Sequence, residues 1–373
     1  MKMYDVSIIG SGPAAISAAI VLAQCNFNII VFCENETRLA KGDFGETLSH
    51  SVIPSLGELG VLSLFQKLKL EPITGSVSSW GTEKMEETPA LLHPFGIGWV
   101  QQKHAFNRIL IERSTSLGAC FSTDQISRVE RKNEVWKIFT ERGGSIASEL
   151  MIIATGRDNP RFAKLSKKVS LDKLVACIVT LEEDSRDSLN FVSIDSSENG
   201  WYFSVKSDEK TRVLSYFTDG DLLRYRDLQT FLQSVNQHLL DLPSMSKAIK
   251  RIDIAKVKSF RIVCANSTFR KNFFTKGLFC CGDSAQTFDP LSSQGVSAAI
   301  RDGIETAKFL ARLDCGNKES MIEYERRRRQ QYLEYLKNWG NIYSTERRWI
   351  RNVFWQRRQH LQYVKTFINT VCE

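Results

Sequence analysis

Gly10, Gly12 and Ala15 are spaced as Gly-x-Gly-x-x-Ala, with Ser11, Pro13 and Ala14 between them. This spacing suits one chemical task, which is to bring a tight turn and the first turn of a helix against a pyrophosphate. The first glycine permits the turn. The second lets the backbone approach the phosphates, and the alanine allows close packing of helix on strand. Pro13 fits a first helical turn, where its missing N–H costs nothing. The free N–H groups and the positive dipole end there favour an anion. Glu34 follows further on, at the end of the next apolar run, where a carboxylate can accept ribose hydroxyls.

The elements that must position these residues are readable around them. Tyr4 to Ile9 is rich in Val and Ile and predicts a buried strand; Asn28 to Phe32 predicts a second. The Ala- and Ile-rich run between them predicts a helix. Strand, loop, helix, strand and acid in this order define a dinucleotide site. A second element lies far downstream. Gly277 to Gly282 predicts a short apolar strand, closed by Gly282 and Asp283. Asp289 and Pro290 then open a turn, and Gln294 and Gly295 lead into a helix ending near Leu313. Such a loop and helix start can set backbone N–H groups against a phosphate or an electron-rich ring. A simple nicotinamide dehydrogenase has no use for this second element.

Composition bounds the rest. The chain has 373 residues, 42% of them hydrophobic and 25% charged, which is ordinary for a globular protein of about two domains. No run approaches the ~20 apolar residues of a membrane span. With no leader pattern at the N-terminus, a cytoplasmic location is expected. The nine cysteines include no Cys-x-x-Cys pair, so reduced thiols are expected and neither a disulfide framework nor a metal site. The formal charge is +8, and the tail from Ser320 to Glu373 holds eleven Lys or Arg against five Glu. That tail reads as a solvated helical face or as a docking surface for an acidic or protein partner. Nucleic acid is not expected, because no nucleic-acid motif accompanies the charge.

Taken together, the two glycine elements resemble those of flavoprotein monooxygenases and flavin-dependent halogenases, which share the fold of p-hydroxybenzoate hydroxylase and of the geranylgeranyl reductases. The resemblance covers about residues 1 to 312 in segments. It implies FAD as cofactor, with the N-terminal glycines on the pyrophosphate. Gly282 and Asp283 would contact the ribityl chain and pyrophosphate, and Asp289, Pro290, Gln294 and Gly295 would lie by the flavin ring. GETL, from Gly45 through Glu46 and Thr47 to Leu48, and ATGR, from Ala154 to Arg157, resemble further family segments. In GWVQQKHAFN, Lys103 stands where the family has Arg and Asn107 where it has Asp. Lysine keeps the charge but loses the fork geometry, so Lys103 is either a cofactor contact or a surface lysine.

The resemblance implies an α/β, p-hydroxybenzoate hydroxylase-like fold of two domains. Residues 1–75, 97–160 and 270–312 are assigned to a discontinuous, Rossmann-type FAD domain. Residues 76–96 and 161–269 are assigned to an antiparallel sheet over the flavin, as the alternating stretches KLVACIVTLEE, GWYFSVKS and RVLSYFTD suggest. Leu228 to Leu240 predicts an amphipathic helix, and residues 313–373 a helical region.

Three chemistries fit such a flavin: aromatic hydroxylation with molecular oxygen, halogenation, and reduction of an isoprenoid double bond. Halogenases of this fold carry an active-site lysine and usually WxWxIP. Here Trp201 to Val205 reads WYFSV, and Ser76 to Gly81 reads SVSSWG without a lysine. No membrane anchor favours an isoprenoid substrate. GETLSHSVIPSLGELGV, SSWG, GWYFSV and DPLSSQG together resemble the LodB/GoxB-like flavoproteins, which assist formation of cysteine tryptophylquinone. That implies a tryptophan of a precursor protein of a quinone-cofactor oxidase as substrate. It leaves a non-catalytic flavin-binding chaperone as an alternative. Trp339, Trp349 and Trp355, interleaved with Arg326 to Arg329, Arg347, Arg348, Arg351, Arg357 and Arg358, would then either dock the precursor or pack the helices on the body. Candidates for the active site are His50, which either faces the flavin or caps a helix, Glu46, Trp80 and His93.

Overall fold

The computed structural model describes residues 2–33, 46–92, 98–157, 168–183, 190–225, 227–249, 251–313, 318–359, 368–369 and 371. Glu34, Gly45 and His93 lie outside the described residues.

Strand Lys2–Ile9 runs parallel to Ile29–Phe32 on one side and to Ser145–Ile153 on the other. Cys120–Ser122 and Leu278–Cys280 extend this parallel core at its two ends. Antiparallel strands Val135–Thr140, Ile126–Lys132 and Phe274–Thr275 complete an eight-stranded sheet. The register brings Ile9, Phe32, Ile153 and Cys280 to one carboxyl edge. In open parallel sheets, ligands bind beyond this edge.

The helix Pro13–Gln24 is buried from Ala14 to Ala23. A helix apolar on all sides must be covered on all sides, and this one lies between the sheet and the helices Gly295–Ala311 and Lys103–Ser116. Small residues set the approach. A Cβ on Gly303 would meet the Ala14 carbonyl oxygen at 2.2 Å, and one on Gly282 would meet the Ala14 methyl at 2.6 Å.

A second sheet has seven strands, in the order Val257–Cys264, Leu174–Glu182, Thr211–Asp219, Gly200–Asp208, Phe191–Ser197, Gly75–Ser79 and Glu86–Pro89. All neighbours pair antiparallel except Phe191–Ser197 with Gly75–Ser79. Alternation divides its side chains between two layers. Cys177, Val179, Tyr202, Leu214 and Tyr216 pack under Phe231, Val235 and Met245. Those three belong to the helices Leu228–His238 and Pro243–Ala248. Asp227 caps the former, accepting from the Thr230 N–H at 2.8 Å. On the other face Ala176, Ile178, Trp201 and Phe217 join the main core, which also contains Tyr343 and Trp355.

The expected strands and helices are present, with small shifts. The downstream helix ends at Ala311, and the amphipathic helix at His238, followed by a short 3-10 turn, Leu239–Asp241. The C-terminal region holds the helices Lys318–Thr345 and Val353–Gln359. Among the described residues, no helix is long and apolar enough to cross a membrane.

Candidate cofactor site

The glycine loop follows the strand Lys2–Ile9 and lies on the carboxyl edge of the parallel sheet. Gly10 donates its N–H to the Phe32 carbonyl at 3.0 Å, which ties the loop to the neighbouring strand. Its φ is +129°, and a Cβ there would meet the Ala154 carbonyl oxygen at 2.1 Å. Both facts demand glycine. Gly12 differs: its φ is −79°, and a Cβ would meet nothing within 4 Å. The space in front of Gly12 is open, although Ser11 beside it and Ala14 and Ala15 behind it are buried.

Three further features fit a bound dinucleotide. Neither the Pro13–Gln24 helix nor the Gly295–Ala311 helix has a side-chain cap, so both first turns keep N–H groups for an anion. A Cβ on Gly295 would also meet nothing within 4 Å. Gln101, just before the Lys103–Ser116 helix, is 2% exposed, and both polar atoms of its amide lack a partner among the described residues. An unpaired buried amide is costly, and the polar groups of a cofactor would satisfy it. These residues could hold FAD.

The other expected residues are placed as follows. Glu46 gives its backbone carbonyl to the Gln101 N–H at 2.8 Å, and Thr47 pairs with Val100. Lys103 is half-buried in the first turn of its helix. Asp283 lies in a short turn, Gly282–Ser284, with the Arg157 Nε at 3.4 Å from its Oδ2. Lys168 donates to the Arg157 and Asp283 carbonyls at 2.6 and 3.1 Å. Pro290 opens the turn Pro290–Ser292, Ser293 is left-handed with φ 49°, and Gln294 precedes the helix.

His50 does not cap its turn; the Ser49 hydroxyl does, accepting from the Ser51 N–H. His50 is exposed, stacks on Trp99 at 5.8 Å and lines a pocket of about 320 Å³ with Phe65 and Gln66. Trp80 donates its indole N–H to the Ile342 carbonyl and meets the rings of Tyr343 and Trp355 edge-on, so it packs the C-terminal region. Desolvation holds three thiols in the protonated form: it pushes half-buried Cys33 up to about 11, and buried Cys177 and Cys281 up to about 12. None of these three is suited to nucleophilic work at neutral pH.

In the tail, Trp339 and Trp355 take the packing alternative: both are buried against the body, and Trp349 is half-buried. Arg357 and Arg358 both pair with buried Asp219 at 2.7 Å. Glu346 is fully buried and accepts from Arg348, from the Gly81 N–H at 2.7 Å and from Ser196. Tyr324, Arg328, Tyr332, Tyr335, Trp339 and Tyr343 form one buried stripe along the long helix. Each polar tip meets the 287–306 segment. Tyr324 meets the Thr306 hydroxyl, Arg328 pairs with Asp302, and Tyr332 donates to the Thr287 carbonyl. Tyr335 accepts from the Asp289 N–H, and Trp339 and Tyr343 donate to its carboxylate. Asp302 in turn accepts the Gly282 N–H at 2.5 Å. The spacing of three and four along the helix was the signal available in the sequence.

A carboxyl-edge glycine loop, two uncapped helix starts and an orphaned amide together could hold a dinucleotide. The chain belongs to the FAD-binding domain family, whose model matches residues 3–337. It is an FAD-dependent oxidoreductase with the fold of flavin monooxygenases and halogenases. Its sequence is similar to the FAD-dependent oxidoreductase LodB of Marinomonas mediterranea, at 26% identity over 96% of this chain and 97% of LodB. The fold is that of the myxobacterial chondrochloren halogenase CndH, with a TM-score of 0.83, 16% identity, and coverage of 100% of this chain and 90% of the other. It is also that of the peptidyl tryptophan dihydroxylase QhpG, described as essential for tryptophylquinone cofactor biogenesis. That match has a TM-score of 0.80 and 15% identity, and covers 96% of this chain and 79% of the other.

Proposed function

We propose that this protein is an FAD-dependent monooxygenase that hydroxylates a tryptophan side chain of a precursor protein during maturation of a cysteine tryptophylquinone oxidase. The observation that carries the reading is the end-to-end similarity to LodB. The fold shared with a peptidyl tryptophan dihydroxylase supports it. One oxygen atom of O₂ enters an indole C–H bond and the other leaves as water, with two electrons drawn from a reductant. Bound FAD supplies the oxygen activation; the protein binds it, shields it and places the indole.

In this reading Gly10, Ser11, Gly12, Pro13, Ala14 and Ala15 hold the pyrophosphate. Gly282 and Asp283 hold the ribityl side, and Pro290, Gln294 and Gly295 border the flavin ring. Gln101 is added as a cofactor contact. Residues 1–75, 97–160 and 270–312 act as the cofactor domain, and the seven-stranded sheet forms the wall above the ring. The reaction takes place in the cytoplasm.

Gly12→Val tests the cofactor assignment cleanly. Its backbone angle is ordinary and its surroundings are open, so folding should be unchanged. FAD affinity should fall at least about tenfold, the equivalent of roughly 1.4 kcal/mol. A titration of apoprotein with FAD measures this, and unchanged affinity removes Gly12 from the site.

Docking of the precursor falls to the turn after the long helix. There Arg347 and Arg351 are exposed beside Ile350 and Val353, which are 56% and 45% exposed. Arg347→Glu with Arg351→Glu should weaken precursor binding about tenfold or more, with a weaker salt dependence. Binding of the doubly reversed variant equal to wild type, measured by calorimetry, removes this surface.

A further inference from the structure

The buried stripe of the long C-terminal helix ends in a connected group. Trp339 Nε1 and Tyr343 Oη both donate to Asp289 Oδ2, at 3.0 and 2.9 Å. The other carboxylate oxygen accepts from the Leu291 N–H at 2.9 Å, inside the turn itself. The Asp289 N–H goes to the Tyr335 hydroxyl at 2.8 Å. On its far side the Tyr343 hydroxyl accepts from Trp201 Nε1 at 3.0 Å. Trp201 belongs to the central strand Gly200–Asp208 of the seven-stranded sheet and stacks on Phe217 at 3.9 Å. Asp289, Trp201 and Tyr343 are each 1% exposed or less. A single hydroxyl thus joins the sheet to the turn before the Gly295–Ala311 helix.

From this geometry we infer that Tyr343 is a positioning residue that couples the seven-stranded sheet to the 289–295 turn, and so to the flavin. The inference rests on the cofactor assignment above, in which that turn borders the flavin ring. Three features make the coupling physical. Asp289 holds the turn with both oxygens, one on the turn's own N–H and one on the two donors from the helix. Buried hydrogen-bond chains have few alternative partners, so a shift of one member moves the next. The left-handed Ser293 shows that the turn sits in a conformation its surroundings must impose. Movement of Trp201 with the sheet therefore re-aims the turn through Tyr343.

The test uses the FAD-loaded full chain and reads the visible circular dichroism of bound flavin, with occupancy measured separately. Trp201→Phe and Tyr343→Phe should each retain FAD while changing the amplitude of the visible bands. In the double variant the effects should not add, because both changes break the same connection. Tyr343→Phe removes only a hydroxyl, so it carries the test if Trp201→Phe does not fold. Wild-type spectra from Tyr343→Phe at full occupancy, or strictly additive effects in the double variant, overturn the coupling. A wild-type chain whose Gly12→Val variant binds FAD normally fails differently: it removes the cofactor assignment on which the coupling rests.

Discussion

Arg328→Met is expected to destabilise the protein by about 3–5 kcal/mol, the usual cost of stripping one partner from a buried ion pair. Arg328 is 1% exposed and pairs with Asp302, itself 7% exposed in the Gly295–Ala311 helix. Asp302 accepts the Gly282 N–H, so loss of Arg328 leaves a buried carboxylate beside the Gly282–Ser284 turn. FAD affinity should fall along with stability. The double variant Arg328→Met with Asp302→Asn should recover most of the loss. Asparagine needs no counter-charge, and its carbonyl can still accept from Gly282. Denaturant unfolding of the single and double variants measures both effects. A double variant no more stable than the single would show that the arginine acts through packing alone.

Gly10→Ala is the second large effect. The added methyl meets a backbone oxygen at 2.1 Å, and the φ of +129° is one that L side chains rarely adopt. Backbone strain of about 1–3 kcal/mol adds to an overpacking cost of similar size. Ala154 follows directly on the central strand Ser145–Ile153 and donates its N–H to the Ile9 carbonyl at 2.8 Å, so its own carbonyl has little room to retreat. Gly10→Ala should therefore lower both the melting temperature and the FAD content, whereas Gly12→Val lowers FAD affinity alone. That split separates the glycine that shapes the loop from the glycine that admits the ligand, and thermal melts of the two apoproteins would show it.

The N-terminal strand, loop and helix were legible because their signals are local. The strand Lys2–Ile9, the glycine loop and the Pro13–Gln24 helix follow one another along the chain, and each residue type has a reason at its own position. The downstream turn was legible for the same cause: Asp289 and Pro290 open it, and Gly295 starts a helix. Gln101 carries no such signal, because an orphaned amide is visible only once burial and partners are known. The tail was only partly legible for a related reason. Its nearby glutamates are not the partners of Arg328, Arg357 and Arg358, which pair with Asp302, Asp219 and Asp221. Asp219 and Asp221 lie more than a hundred residues earlier in the chain. Long-range pairing of this kind leaves no periodic trace. The stripe from Tyr324 to Tyr343 did leave one, as polar-tipped residues at helical spacing.

The proposed substrate is a tryptophan in another protein. Peptide mass spectrometry on a candidate quinoprotein precursor, expressed with and without this chain, tests it most directly. A tryptophan should gain oxygen mass, or form a cysteine–tryptophan crosslink, only when the FAD-loaded protein is present. A precursor of unchanged mass, with FAD bound and reductant and oxygen supplied, would contradict it; a halogenated tryptophan in the presence of halide would contradict it in favour of halogenation.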